Sequence, residues 1–163
     1  MATQHLILAG HRRIGFLGGR SGPVLAQRLQ GYNAAHAEAG MAVDGRLVFA
    51  ANPTREGGHN SMLALLDTEA APVAAVCYND LVAFGALSAL GERGLKAGID
   101  FVLMGFDNVL DAAHSNPPLS TIDIRPSDLG QQAAALLLAR IEEPDRARQR
   151  FLAQPHLLLR QSA

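Results

Sequence analysis

Polar side chains suited to hold a small molecule recur at four places along the chain. Each pair follows a short apolar run: Arg20 and Ser21, Asn52 and Thr54, Asn79 and Asp80, Asp107 and Asn108. Arg28 stands a few residues beyond the first pair. Guanidinium groups donate, carboxylates accept, and amides and hydroxyls do both, so the set suits a ligand that is rich in hydroxyls or charged. Each position also has a plainer reading. Ser, Thr, Asn and Asp at a helix start cap free backbone amides, contributing about 1 kcal/mol each. A lone arginine on a helix is most often solvated. Residue by residue, cap and ligand contact both stay open, and the case for a site rests on the four loops converging.

Reactive chemistry finds less support. Gly18-Gly-Arg-Ser-Gly22 is glycine-rich, but it is neither the dinucleotide-binding fingerprint nor a P-loop. Ser21 lacks the glycine spacing of a nucleophile elbow. The six histidines include no H-E-x-x-H and no close pair at metal-ligand spacing. Cys77 ends an apolar run with no activating histidine nearby and reads as a small core hydrophobe. No general base, metal or cofactor site is expected. An α/β enzyme using Ser21 or Cys77 is a remote third reading.

The elements that must carry these loops follow from periodicity. Short apolar runs alternate with longer stretches of helical period, which predicts parallel βαβ units with helices on both faces of a sheet. Strands are expected at Arg13–Gly18, Arg46–Ala50, Val73–Cys77 and Asp100–Met104. Helices are expected from about Val24 to Ala39, from Thr54 through Leu66, and from Asn79–Asp80 to a stop at Gly94. In such sheets ligands bind beyond the carboxyl ends of the strands, where the four polar pairs fall. After Met104 the rhythm changes: a long connection with Pro117-Pro118, a strand at Ser120–Ile124, a helix from about Pro126 to Ile141, and a last strand near Phe151 to Arg160. Ala2–Leu8 reads as the tail of a helix stopped at Gly10, with no strand before it, so the chain looks like the latter part of something longer.

Composition sets the outer bounds. The chain has 163 residues, 48% hydrophobic and 18% charged, which describes one globular domain. No apolar run approaches the roughly 20 residues that span a bilayer, and the N-terminus has no basic region ahead of its short apolar stretch. One cysteine excludes an internal disulfide and suits a reducing cytoplasm. A net charge of −1 leaves no electrostatic footprint for nucleic acid on this segment itself.

Several motifs then occur in a specific order: Gly10-His-Arg-Arg-Ile-Gly-Phe-Leu-Gly-Gly19, Arg28-Leu-Gln-Gly-Tyr32, Ala37-Glu-Ala-Gly40, Tyr78-Asn-Asp80 with Ala83-Phe-Gly-Ala86, Gly105-Phe-Asp107, and Pro117-Pro-Leu-Ser-Thr121. Together, over roughly His5 to Arg160, they resemble the effector-binding domain of LacI/GalR-type bacterial transcription regulators. The resemblance implies a periplasmic-binding-protein-like fold of two Rossmann-like subdomains with a ligand cleft between them. It also implies a non-enzymatic, cytoplasmic, homodimeric repressor whose small-molecule effector, a sugar or related metabolite, controls operator binding by an N-terminal helix-turn-helix. The effector works through its different affinity for two states.

Carried over by motif, the family's ligand contacts fall on Arg28, Asn79 and Asp107, leaving Asp80 to the helix start, where negative charge is favoured. An aromatic position that often stacks on the ligand falls on Pro53, which removes that surface. Phe84 and Ser115 fall where the family makes subunit contacts, and Phe84 reads equally well as core. The helix-turn-helix and the first subdomain would precede this chain. Residues 1–119 and 150–163 would then form the C-terminal subdomain. Residues 120–149 would be an excursion into the first subdomain, with Leu129, Leu136, Leu137, Leu138 and Ile141 lacking their usual sheet. We expect that face to repack on its own subdomain or on a second copy, and the isolated chain to bind effector weakly. A periplasmic-type sugar-binding protein working in transport is the alternative, disfavoured by the Gly-His-Arg-Arg-Ile and Pro-Pro-Leu-Ser-Thr motifs and the lack of a signal peptide.

Overall fold

The computed structural model describes residues 1–163. In chain order the elements are α1 (Ala2–Leu8), β1 (Gly15–Leu17), α2 (Pro23–Glu38), β2 (Val48–Phe49), α3 (Arg55–Leu66), β3 (Ala74–Cys77), α4 (Asp80–Glu92), β4 (Val102–Met104), α5 (Asp111–His114), β5 (Thr121–Asp123), α6 (Pro126–Glu142) and β6 (His156–Leu158). Helices start and stop where local chemistry directs. Thr54 Oγ1 accepts from the Gly57 amide at 3.1 Å to open α3. Pro23 and Pro126 stand at the first turns of α2 and α6, where no amide donor is missed.

β1 to β4 form a parallel sheet in the order β2-β1-β3-β4, with Phe16 opposite Val76 and Ala75 opposite Leu103. β5 continues it beyond β4 through parallel bridges at Met104–Ser120 and Asp107–Asp123, and β6 pairs antiparallel with β5. Both faces of the sheet are covered, which is the condition for a parallel sheet. All four residues of β3 are buried. One face packs Leu6 and Ile7 of α1 and Tyr32 and Ala35 of α2 over Phe16, Val76 and Met104. The other packs Met62 and Leu65 of α3 and Val82, Phe84, Ala86 and Leu90 of α4 over Leu17, Ala75 and Leu103.

α3 and α4 touch backbone to backbone. A Cβ on Gly58 would lie 2.0 Å from the Val82 carbonyl oxygen, and one on Gly85 would lie 1.8 Å from that of Arg55. Only glycine at both positions allows so close a crossing. Phe84 is 6% exposed within this core, with the Arg55 guanidinium 4.6 Å from its ring centre.

α6 behaves differently. None of its 17 residues is buried, and Leu137, Leu138 and Ile141 are 62%, 60% and 66% exposed. The expectation that this face repacks on its own subdomain is therefore not met. The helix forms from local propensity, opened by proline and rich in alanine and leucine, without a surface of this chain against its apolar stripe. No helix is long and apolar enough to cross a membrane.

Candidate ligand-binding edge

The loop Gly105–Val109 leaves the carboxyl end of β4 in an uncommon conformation. Asp107 has φ 116° and Asn108 φ 55°, both on the side of the map that favours glycine. Strain of this kind costs on the order of 1–3 kcal/mol and persists only where surrounding bonds over-determine it. The bonds are present. The Asp107 amide donates to Ile122 O at 2.9 Å, and Gly105 N to Ser120 O at 2.8 Å. Arg160 donates from Nη2 to Asn108 Oδ1 at 2.8 Å and from Nη1 to Leu119 O at 2.7 Å.

Arg28 reaches this loop from the second turn of α2. Its guanidinium lies 3.8 Å from the Phe106 ring centre and 4.6 Å from that of Tyr78, contacts that attract the cation by about 0.5–2 kcal/mol each. Nη2 donates to Asp107 Oδ1 at 3.2 Å, joining residues 79 positions apart. Nη1 is buried and has no protein partner. Burial raises the Asp107 carboxyl above the usual range, and Arg28 beside it pulls in the opposite direction.

Arg28 also lines a pocket of about 470 Å³. Its walls are mostly apolar, with Phe16, Val24, Tyr32, Cys77 and Phe106 among them, and Arg28 is their only charged side chain. A largely apolar cavity with a few fixed polar groups is the usual form of a small-molecule site.

Of the expected contacts, Arg28 and Asp107 are thus brought together. Asn79 is not bonded to either of them; it lies in the chain between Tyr78, whose ring is 4.6 Å from the Arg28 guanidinium, and Asp80, which bonds the loop. Its Oδ1 accepts from the Val82 amide at 2.9 Å as the cap of α4, leaving its amide NH₂ for other partners. Arg20 Nη1 and Asn52 Oδ1 meet at 3.5 Å across the neighbouring loops.

Asp80 stands at the helix start as expected, as the first residue and the first-turn acid of α4. The capping hydrogen bond itself is made by Asn79, and the Asp80 side chain has further partners. Asp80 is fully buried, and its Oδ1 accepts from Thr121 Oγ1 at 2.6 Å while Oδ2 accepts from the Val109 amide at 2.9 Å. Burial drives its carboxyl pKa up, and these hydrogen bonds oppose the rise. A Cβ on Gly105 would lie 2.1 Å from Asp80 Oδ1, so this close approach requires glycine there. Arg160 and Phe106 carry roles that spacing did not single out. The signal for Phe106 is its position next to Asp107, and Arg160 has none in the sequence.

Cys77 is buried and its thiol is pushed up by desolvation, which matches its reading as a core hydrophobe. No cluster of three or more His, Cys, Asp or Glu side chains is arranged to hold a metal ion.

Residues 3–163 match the periplasmic binding protein-like domain family. The chain is 37% identical over 163 residues to the HTH-type transcriptional repressor PurR of Mannheimia succiniciproducens, covering 99% of this chain and 49% of that protein. It is also 37% identical to the ribose operon repressor of Haemophilus influenzae, with the same coverage. The chain spans about half the length of the curated relatives it matches. Among solved structures, the transcriptional regulator CelR–cellobiose complex superposes with a TM-score of 0.90 at 35% identity, over 99% of this chain and 50% of that one. A LacI family regulator from Enterococcus faecium with bound ribose gives 0.92 at 29% identity, over 99% and 60%.

Proposed function

Because this chain belongs to the periplasmic binding protein-like domain family, in the form carried by LacI-type transcription regulators, we propose that it is the ligand-sensing part of such a regulator, binding a sugar or related metabolite at Arg28, Asn79 and Asp107. One observation carries the reading. Arg28 is clamped between Phe106 and Tyr78 with one arm on Asp107 and a buried Nη1 that no protein atom satisfies. A buried guanidinium donor without an acceptor is costly, and a ligand hydroxyl or carboxylate removes that cost. The planar fork then orients the ligand, and Asp107 accepts from its hydroxyl or N–H groups.

The function is binding without catalysis, in the cytoplasm. Effector occupancy biases two states of a homodimer, and operator affinity changes through a helix-turn-helix elsewhere in the full-length protein. Residues 1–119 and 150–163 act as the C-terminal subdomain and 120–149 as an excursion against the other subdomain. The uncovered face of α6 supports that division. Repressor names among relatives at 36–37% identity favour this reading over a transport protein of the same fold. Ligands of the related structures, ribose and cellobiose, are the first compounds to test.

A thermal-shift series with ribose, cellobiose and nucleosides checks the proposal. A ligand at 100 times its Kd stabilises the native state by about 2.7 kcal/mol. The expected result is a concentration-dependent rise in Tm for one compound class, lost in Asp107→Ala and Arg28→Ala. A rise that survives both substitutions overturns the assigned site.

A further inference from the structure

The geometry points to Asp80 as a positioning residue that locks the ligand loop 105–109 to the crossover strand β5, so that loop and strand move as one unit. The inference rests on the reading of Arg28 and Asp107 as effector contacts and adds how that site is joined to the rest of the chain.

The argument starts from cost. A fully buried carboxylate with no cation bonded to it is unfavourable unless its hydrogen bonds recover the loss. Helix capping does not explain it, because Asn79 Oδ1 performs that task. The partners of Asp80 lie on two other segments. Its backbone amide donates to Phe106 O at 2.9 Å, and its Oδ2 accepts from Val109 N at 2.9 Å. These bonds bracket Asp107 in sequence, one before it and one after, and so hold both flanks of the residue at φ 116°. Its Oδ1 accepts from the Thr121 hydroxyl at 2.6 Å, and Thr121 is the first residue of β5.

β5 therefore grips the loop through two neighbouring residues. Thr121 acts through Asp80, and Ile122 O takes the Asp107 amide directly at 2.9 Å. Two links from adjacent residues oppose both sliding and rotation of β5 relative to the loop. A shift of β5 is thus transmitted to the strained residue that holds Arg28, and ligation of Arg28 and Asp107 is transmitted to β5. Gly105 makes this possible by leaving room for the carboxylate against β4.

Nuclear magnetic resonance on the 163-residue chain tests this without any ligand, so its outcome is independent of whether a sugar binds. In the wild type, native-state hydrogen exchange of the Asp107 and Val109 amides is expected to follow one shared opening, with the same dependence on denaturant. Thr121→Val removes only the hydroxyl that contacts Asp80. It is expected to speed Val109 exchange tenfold or more and to move the Arg28 Nε–H resonance, which the Phe106 ring shifts, while Thr121→Ser restores both. The proposal is overturned if Thr121→Val lowers Tm yet leaves the Val109 exchange and the Arg28 resonance unchanged. It is equally overturned, with no substitution needed, if Val109 opens separately from Asp107 in the wild type.

Discussion

α4 and α6 are both helices of good local propensity, yet they meet opposite fates. α4 buries eight of its 13 residues, including Val82, Phe84 and Leu90, against the sheet and α3. α6 is longer, at 17 residues, and buries none. Both open with a recognisable start signal and both carry leucines at helical spacing. The difference shows that an apolar stripe states a requirement for a partner without supplying one. α4 finds its partner because Gly58 and Gly85 let α3 approach to backbone contact, while α6 leaves the sheet after β5 and meets no second layer.

Truncating a leucine in each helix draws the contrast most strongly. Leu90 is 1% exposed, so Leu90→Ala is expected to cost about 2–5 kcal/mol in urea denaturation. Leu137 is 62% exposed, and Leu137→Ala is expected to change stability by no more than about 0.5 kcal/mol. A large loss at Leu137 would mean that α6 packs against something in solution and would erase the distinction.

Glycine to alanine gives a smaller effect with opposite signs. At Gly85 the new methyl meets the Arg55 carbonyl at 1.8 Å and must force α3 away, at a cost of about 1–3 kcal/mol. At Gly130 nothing lies within 4 Å, so Gly130→Ala is expected to stabilise α6 by about 0.5–1 kcal/mol, read as a gain in helical circular dichroism.

The ligand loop provides the finest test, because its conformation is neither packed like α4 nor free like α6 but strained and bonded. Asp107 is held at φ 116°. Asp107→Gly relieves that strain and is expected to be about 1 kcal/mol more stable than Asp107→Ala by thermal melting. Equal stabilities would show that the backbone there is relaxed.

Much of this was legible residue by residue. The alternation of apolar runs and helical stretches located the four parallel strands and three helices, and Thr54 opened α3 as its type predicts. Strand ends were less legible, since β2 shrinks to Val48–Phe49 behind a 3-10 turn at Gly45–Leu47 that Asp44 caps. At the site, Arg28 and Asp107 were named by motif as separate ligand contacts, and the structure joins them by a hydrogen bond that the sequence did not foretell. Asp80 opens α4 as expected, but the asparagine makes the capping bond and the aspartate carboxylate also turns inward to Thr121. Both residue types are competent caps, so local preference had no means of choosing between them.

By itself, then, the sequence determined what depends on neighbours within a turn or two: where helices begin and end, which runs are apolar enough to be strands, and which polar residues fall at strand ends. Those choices are governed by backbone dihedrals, capping and side-chain period, all of which act over a few residues. Only the tertiary structure decided that Arg28 meets Asp107 across 79 residues, that Asp80 binds Thr121 across 41, and that α6 stands without a covering layer. These outcomes depend on which segments the sheet brings together, and that pairing is a property of the whole packed chain.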